Sequence, residues 1–509
     1  MPPLVDCGRR GVGNAGEGEG ADTCAHSRPP RYDARMGGLA GTKPLQDTDQ
    51  RRVHLLMSLL GAALFAFGFA VPLEKGSTYL LWTGCCVLFS IYTASMLLMH
   101  RMFLFAALAV FLTYGVVTVW VSNFVLELPM SSWRVGWGAR ADFPEALGQS
   151  IFYLTFFGIL ANLAISQAPS YPTGRFTPDQ AARYQVPVLG LTILSAGALV
   201  AVAGTTARDE YLLTADVESM FLVQASSIML SALFAYAMFF VPAGGYRRLI
   251  LLTLVGAALL VTLNGFRFLI VIFAFIWLFH TLSTRKLPIR RVVAVSTAAA
   301  VAYLFLLCLA YTRSVGMTSG EALDFLLAPD LNAALAYMGA ADQVNIIAQD
   351  YYARRIDTGE ALSGRTYLDA FLRLAPNFVH TSLFDTIRSQ DYIVANGSFV
   401  PEVFRRNNWT IGSHLFVEAI INFGKYGPYL VLTVFAALMT SLDRLARRSP
   451  GLFLGYVVMS AMGYSLAWYG FGNFLKQSMF AFVCCAIIVV ICRQSKQQFV
   501  AEAQPHTMR

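Results

Sequence analysis

The chain has 509 residues, of which 56% are hydrophobic and only 13% charged, and its formal net charge is +8. A soluble globular protein carries about 25% charged residues, so this balance and many apolar runs of about 20 residues exclude that class and predict an all-α polytopic membrane protein. No period-2 alternation suggests an outer-membrane barrel. Basic cytoplasmic loops account for the positive charge without nucleic acid as a partner.

Residues 1–50 are rich in Gly, Arg, Pro and Asp and show no apolar period, so disorder is expected there. They lack the apolar core of a signal peptide, and Met36 offers an alternative start. Twelve apolar runs then follow: 53–72, 79–99, 102–124, 150–165, 186–203, 220–241, 249–263, 266–282, 292–311, 414–439, 452–469 and 478–491. Nine expected membrane helices thus occupy residues 51–311, and three more occupy 414–493. A large loop, 312–413, lies between the two groups, and a tail, 494–509, closes the chain. Asn264-Gly265 reads as a tight turn between the seventh and eighth spans.

Basic residues alternate from loop to loop. Arg51/Arg52, Arg101, Arg175/Arg183, Arg247/Arg248, Arg285/Lys286/Arg290/Arg291, Arg444/Arg447/Arg448 and Arg493/Lys496 all fall on one side. The positive-inside rule makes that side cytoplasmic, with both termini there and the large loop outside. Arg267, one residue inside the eighth run, becomes an intramembrane cation beside an external turn. It reads either as a snorkelling anchor or as a functional charge.

The large loop holds eight arginines and no lysine. It also holds eleven acids, so surface ion pairs account for part of that arginine content. Beyond it, His414 and Glu418 are spaced to share one face of a helix. The eight cysteines show no metal-binding or disulfide spacing and read as small buried hydrophobes. No metal or cofactor is expected.

The segment 412–427, GSHLFVEAIINFGKYG, resembles the late signature of bacterial O-antigen (Wzy-type) polysaccharide polymerases: a glutamate, a small or aromatic run, Asn-Phe-Gly and a second glycine. The segment 363–376, SGRTYLDAFLRLAP, is similar to a stretch of that family's large external loop. Arg267, following Asn-Gly, looks like the family's intramembrane arginine. The resemblance implies a glycosyltransferase of the inner membrane. It would join undecaprenyl-diphosphate-linked oligosaccharide repeat units at the periplasmic face, with a flippase and a chain-length regulator as partners.

In such a reaction the lipid diphosphate leaves with negative charge that must be stabilised. Arginine binds phosphate oxygens bidentately and keeps its charge. Arg267, Arg313, Arg365 and Arg373 are the first candidates, followed by Arg355, His380, Arg388 and Arg405. His414 or Glu418 would deprotonate the acceptor hydroxyl; alternatively His414 anchors the helix and Glu418 pairs with a loop arginine. Asn422-Phe-Gly424 and Gly427 read as packing or helix-bending elements. O-antigen ligases share the broad architecture and remain an alternative, as does a transporter of the same lipids. Against transport, the chain shows no internal duplication and no matching pair of broken helices.

Overall fold

In hydrocarbon, each backbone N–H and C=O must be satisfied within the segment, and a helix achieves this. The structure, a computed structural model, describes residues 43–71, 76–121, 143–167, 185–203, 217–263, 268–284, 319–334, 363–372, 393–395, 398–400, 415–446 and 450–491, with single positions near 124, 308, 311–312, 317 and 361. Its helices are α1 (Lys43–Gly68), α2 (Ser77–Met99), α3 (Phe103–Trp120), α4 (Phe143–Gln167), α5 (Gln185–Ala203), α6 (Val217–Phe239), α7 (Gly245–Leu263) and α8 (Phe268–Thr284). Then come α9 (Ser319–Leu327), α10 (Arg365–Leu372), α11 (Leu415–Phe423), α12 (Gly427–Ala446), α13 (Pro450–Ala461) and α14 (Gly463–Ile491). Strands β1 (Ile393–Ala395) and β2 (Ser398–Val400) form a small antiparallel pair in which Ile393 is opposite Val400. Among the described residues, eight helical stretches are long and apolar enough to cross a membrane, so the chain is a polytopic membrane protein. Residues Asp49–Arg509 make one compact unit; of the other, Met1–Thr48, only residues 43–48 are described.

Helix α3 is the centre of the larger unit. It is apolar on every side, which suits a fully enclosed helix, and every residue from Met102 to Ala109 is buried. Phe103 stacks on Phe279 of α8, with ring centroids 4.4 Å apart, and Phe111 packs against Trp468 of α14. The Tyr456 hydroxyl on α13 donates to buried Asp443 of α12 and accepts from the Leu104 N–H of α3, tying three helices together. A second polar link joins α1, the end of α2 and α4. His54 contacts both Asn162 and His100, and the Asn162 amide donates to Thr93.

Two breaks set up the C-terminal third. Where one span over 414–439 is expected, the chain makes two helices. α11 ends at Phe423, and a 3-10 turn, Gly424–Tyr426, redirects the chain into α12. Gly424 takes φ 70°, the left-handed conformation common after a helix end. Gly427 lies so close to the Ala419 carbonyl that a side chain there would collide with it. The second break is Gly470, with φ 80° and ψ 177°, which divides α14 into α14a (463–469) and α14b (471–491). Gly455 packs against Phe482, Gly451 against Val489, and the Asn473 amide donates to Ser465. These pairs are antiparallel rungs whose midpoints fall within about two residues of position 470. α13 with α14a therefore runs one way, and α14b returns, with Gly470 at the tip. The sequence reading of two spans at 452–469 and 478–491 has the same reversal, with the turn shortened to one residue.

Candidate functional site

Helix α11 is nine residues long and buried from Leu415 to Asn422. Two of those residues, Glu418 and Asn422, are polar and one turn apart. A buried polar group is costly without partners, and both find them on elements distant in sequence. The Thr366 hydroxyl of α10 donates to Glu418 Oε1 at 3.0 Å. The Phe471 backbone N–H donates to Glu418 Oε2 at 2.7 Å. Asn422 Nδ2 donates to Thr366 Oγ1 at 2.7 Å and to the Glu418 carbonyl at 2.8 Å. Asn422 Oδ1 accepts from the Thr366 N–H at 3.3 Å, and the Asn422 carbonyl accepts from the Ser363 N–H at 2.8 Å.

The geometry has a simple origin. The first turn of a helix leaves its N–H groups without intrahelical acceptors. Thr366 opens α10 and Phe471 opens α14b, so both present such donors. Capping oxygens usually come from the residue just before the helix; here they come from another helix. The Asn422 carbonyl is itself an orphan acceptor at the end of α11, and the chain entering α10 supplies its donor. Ser363 and Gly364, at φ 51° and 85°, shape that entry.

Aromatic rings close over the cluster. Tyr367 stacks parallel to Phe423, centroids 6.0 Å apart, and lies 5.5 Å from Phe471. Phe371 and Phe435 also pack against Phe471, with ring centroids 5.5 and 5.6 Å away. The Tyr367 hydroxyl is buried and has no hydrogen-bond partner among the described residues. Burial pushes its pKa well above the ordinary phenol value, and nearby Glu418 adds to the effect.

The cluster joins two segments singled out in the sequence, 363–376 and 412–427. Ser363, Thr366 and Tyr367 belong to one; Glu418, Asn422 and Phe423 belong to the other. Of the sequence-derived site residues, Glu418 is at the centre and only 2% exposed. Arg365 is exposed on the first turn of α10. His414, Arg267, Arg313, Arg373, Arg355, His380, Arg388 and Arg405 lie outside the described residues. Sequence reasoning treated Asn422 as a packing residue and passed over Thr366 and the Phe471 N–H. The recoverable signal was the second polar residue one turn after Glu418 in an otherwise apolar helix. Gly424 and Gly427 do serve as bending and close-packing positions. Among the described residues, no three His, Cys, Asp or Glu side chains converge as metal ligands.

Compared with protein-family models, with curated proteins and with solved structures, the chain finds no match.

Proposed function

We propose that the protein is a membrane glycosyltransferase that polymerises undecaprenyl-diphosphate-linked oligosaccharide repeat units at the periplasmic face of a bacterial inner membrane. In this reading the chain has about twelve spans, both termini are cytoplasmic, and the 312–413 loop lies outside. What supports it is one observation: the two segments resembling O-antigen polymerases lie about fifty residues apart in sequence and bond directly through Thr366, Glu418 and Asn422. Unrelated chance similarities have no reason to meet in space.

Within this proposal Glu418 positions the site rather than serving as the base. Both its oxygens are engaged by the fold, and a general base must reach the substrate proton. His414, four residues earlier, then carries the proton transfer. Arg365 and the remaining arginines, Arg267 first among them, offset the charge on the leaving diphosphate. Arg267→Ala should abolish polymer while the protein still inserts, and Arg267→Lys should restore only part of it.

The deciding experiment supplies purified protein with a single lipid-diphosphate repeat unit and no nucleotide. A ladder of longer lipid-linked glycans is expected. Transfer only to an added lipid A core would make the protein a ligase. Lipid movement between leaflets with no covalent product would make it a transporter.

A further inference from the structure

Helix α10 belongs by sequence to the polar loop, yet it packs against membrane helices. Thr366 and Ala370 are buried, and the opposite face exposes Arg365, Leu368 and Phe371 at three-residue spacing. Leu368 is 48% and Phe371 54% exposed. On a helix surrounded by water, two large apolar side chains at i and i+3 are an unfavourable pair to leave uncovered.

Depth can be read from α12. Exposed Lys425 sits over the Tyr426 ring, 5.5 Å away, a cation and an aromatic of the kind that mark a membrane interface. Arg444 marks the other end. Nineteen residues at helical rise separate the two by about 28 Å, close to the hydrocarbon thickness of about 30 Å. Phe435 lies about midway. Its ring stacks on Phe471 at 5.6 Å, and Phe471 in turn touches Phe371 at 5.5 Å. The apolar end of α10 is therefore two ring contacts from the middle of a membrane-spanning helix. That helix exposes Leu430, Val434 and Leu438 in a stripe of four-residue spacing, the pattern of a lipid-facing surface.

We propose that α10 is a re-entrant helix lying within one leaflet of the bilayer, with Leu368 and Phe371 against lipid acyl chains and Arg365 reaching back toward the phosphate level. The long apolar side chains continue the lipid-facing surface of α12, and a cation at the first turn can extend to the headgroups. The loop thus dips into the membrane at α10, whatever chemistry the protein performs. At its N-terminal end the Thr366 N–H is capped by Asn422 and the Leu368 N–H bonds to the Gly364 carbonyl, so these donors are met as hydrocarbon requires.

The test places benzoylphenylalanine singly at Leu368, Phe371 and Val434 of the full-length protein in phosphatidylethanolamine/phosphatidylglycerol nanodiscs. After irradiation, intact mass is measured. These positions are exposed, so the fold tolerates the probe, and monodisperse elution checks this. Lipid-sized mass additions at 368 and 371, at levels within about two-fold of those at 434, are expected. Lipid adducts at 434 with none at 368 and 371 would overturn the inference. So would adducts at 368 and 371 that join a second polypeptide and no lipid.

Discussion

Glu418 and Asn422, one turn apart on α11, cap the first turns of two different helices: Asn422 takes the Thr366 N–H of α10, and Glu418 takes the Phe471 N–H of α14b. Each oxygen meets an N–H at the start of a helix, where intrahelical acceptors are lacking. A short buried helix thereby fixes where a loop helix begins and where the C-terminal hairpin turns. Substitutions should separate this positioning role from a chemical one.

Glu418→Gln keeps an oxygen for the Phe471 N–H, while its amide can only donate to Thr366 Oγ1, whose own proton loses its acceptor. It should cost about 1–2 kcal/mol in thermal unfolding and retain most polymer formation. Glu418→Ala strands both donors in a buried site and should cost roughly 2–4 kcal/mol. Loss of activity in a Glu418→Gln protein of wild-type stability would restore Glu418 as the base.

The Thr366–Asn422 contact is open to a double-mutant cycle. Thr366→Val and Asn422→Leu remove opposite ends of a 2.7 Å hydrogen bond. Neighbours in one network couple by about 0.5–3 kcal/mol, and unfolding of the single and double variants in detergent measures this. Additive losses would mean that the two segments are merely adjacent.

Gly470 occupies a backbone region, φ 80° and ψ 177°, that is nearly closed to residues with a Cβ. Gly470→Ala should destabilise the protein by about 1–3 kcal/mol and displace the Phe471 N–H from Glu418. Gly190→Ala serves as the control, since a Cβ there meets nothing within 4 Å. Equal unfolding temperatures for the two variants would contradict the hairpin tip.

A pH effect is expected at the far end of α2. Asn162 spends its amide nitrogen on Thr93 and Gly158, so its oxygen faces His54 and accepts the Nδ1 proton. His54 Nε2 must then accept from His100 Nε2, 3.1 Å away. Burial, and secondly His54, lower the His100 pKa from 6.5 to about 4. The unfolded chain binds a proton below 6.5, while the folded chain resists it until about 4. Stability from this group is therefore complete above pH 6.5 and declines as pH falls toward 4. His100→Gln, which keeps a donor for His54, should show a smaller fall in unfolding temperature over that window. An identical fall in both proteins would remove His100 from the account.

Hydropathy located several membrane helices to within about four residues, while those expected at 53–72 and 150–165 begin earlier, at Lys43 and Phe143, and the expected span 292–311 lies almost wholly outside the described residues. The expected 79–99 and 186–203 correspond to Ser77–Met99 and Gln185–Ala203. It could not see the break at Gly424, because Ile420, Ile421, Phe423 and Tyr426 keep the run apolar while the chain changes direction. Transfer energy depends on composition and carries no information about backbone direction. Glu418 was legible as an acid in an apolar segment. Thr366 and Asn422 were not, because neutral polar residues are common in helices and their partners sit far away in sequence.

The partners of Glu418 lie 52 residues before it and 53 after it. The second interval matters during synthesis. A ribosome adding about 5–20 residues per second needs roughly 3–10 s to make the stretch from Glu418 to Phe471. Throughout that delay α11 holds a carboxyl group whose second acceptor site has nothing to meet. The final hairpin is thus the clasp that completes assembly, and a chain cut short before Gly470 would carry in its apolar core an acid with one oxygen unmet.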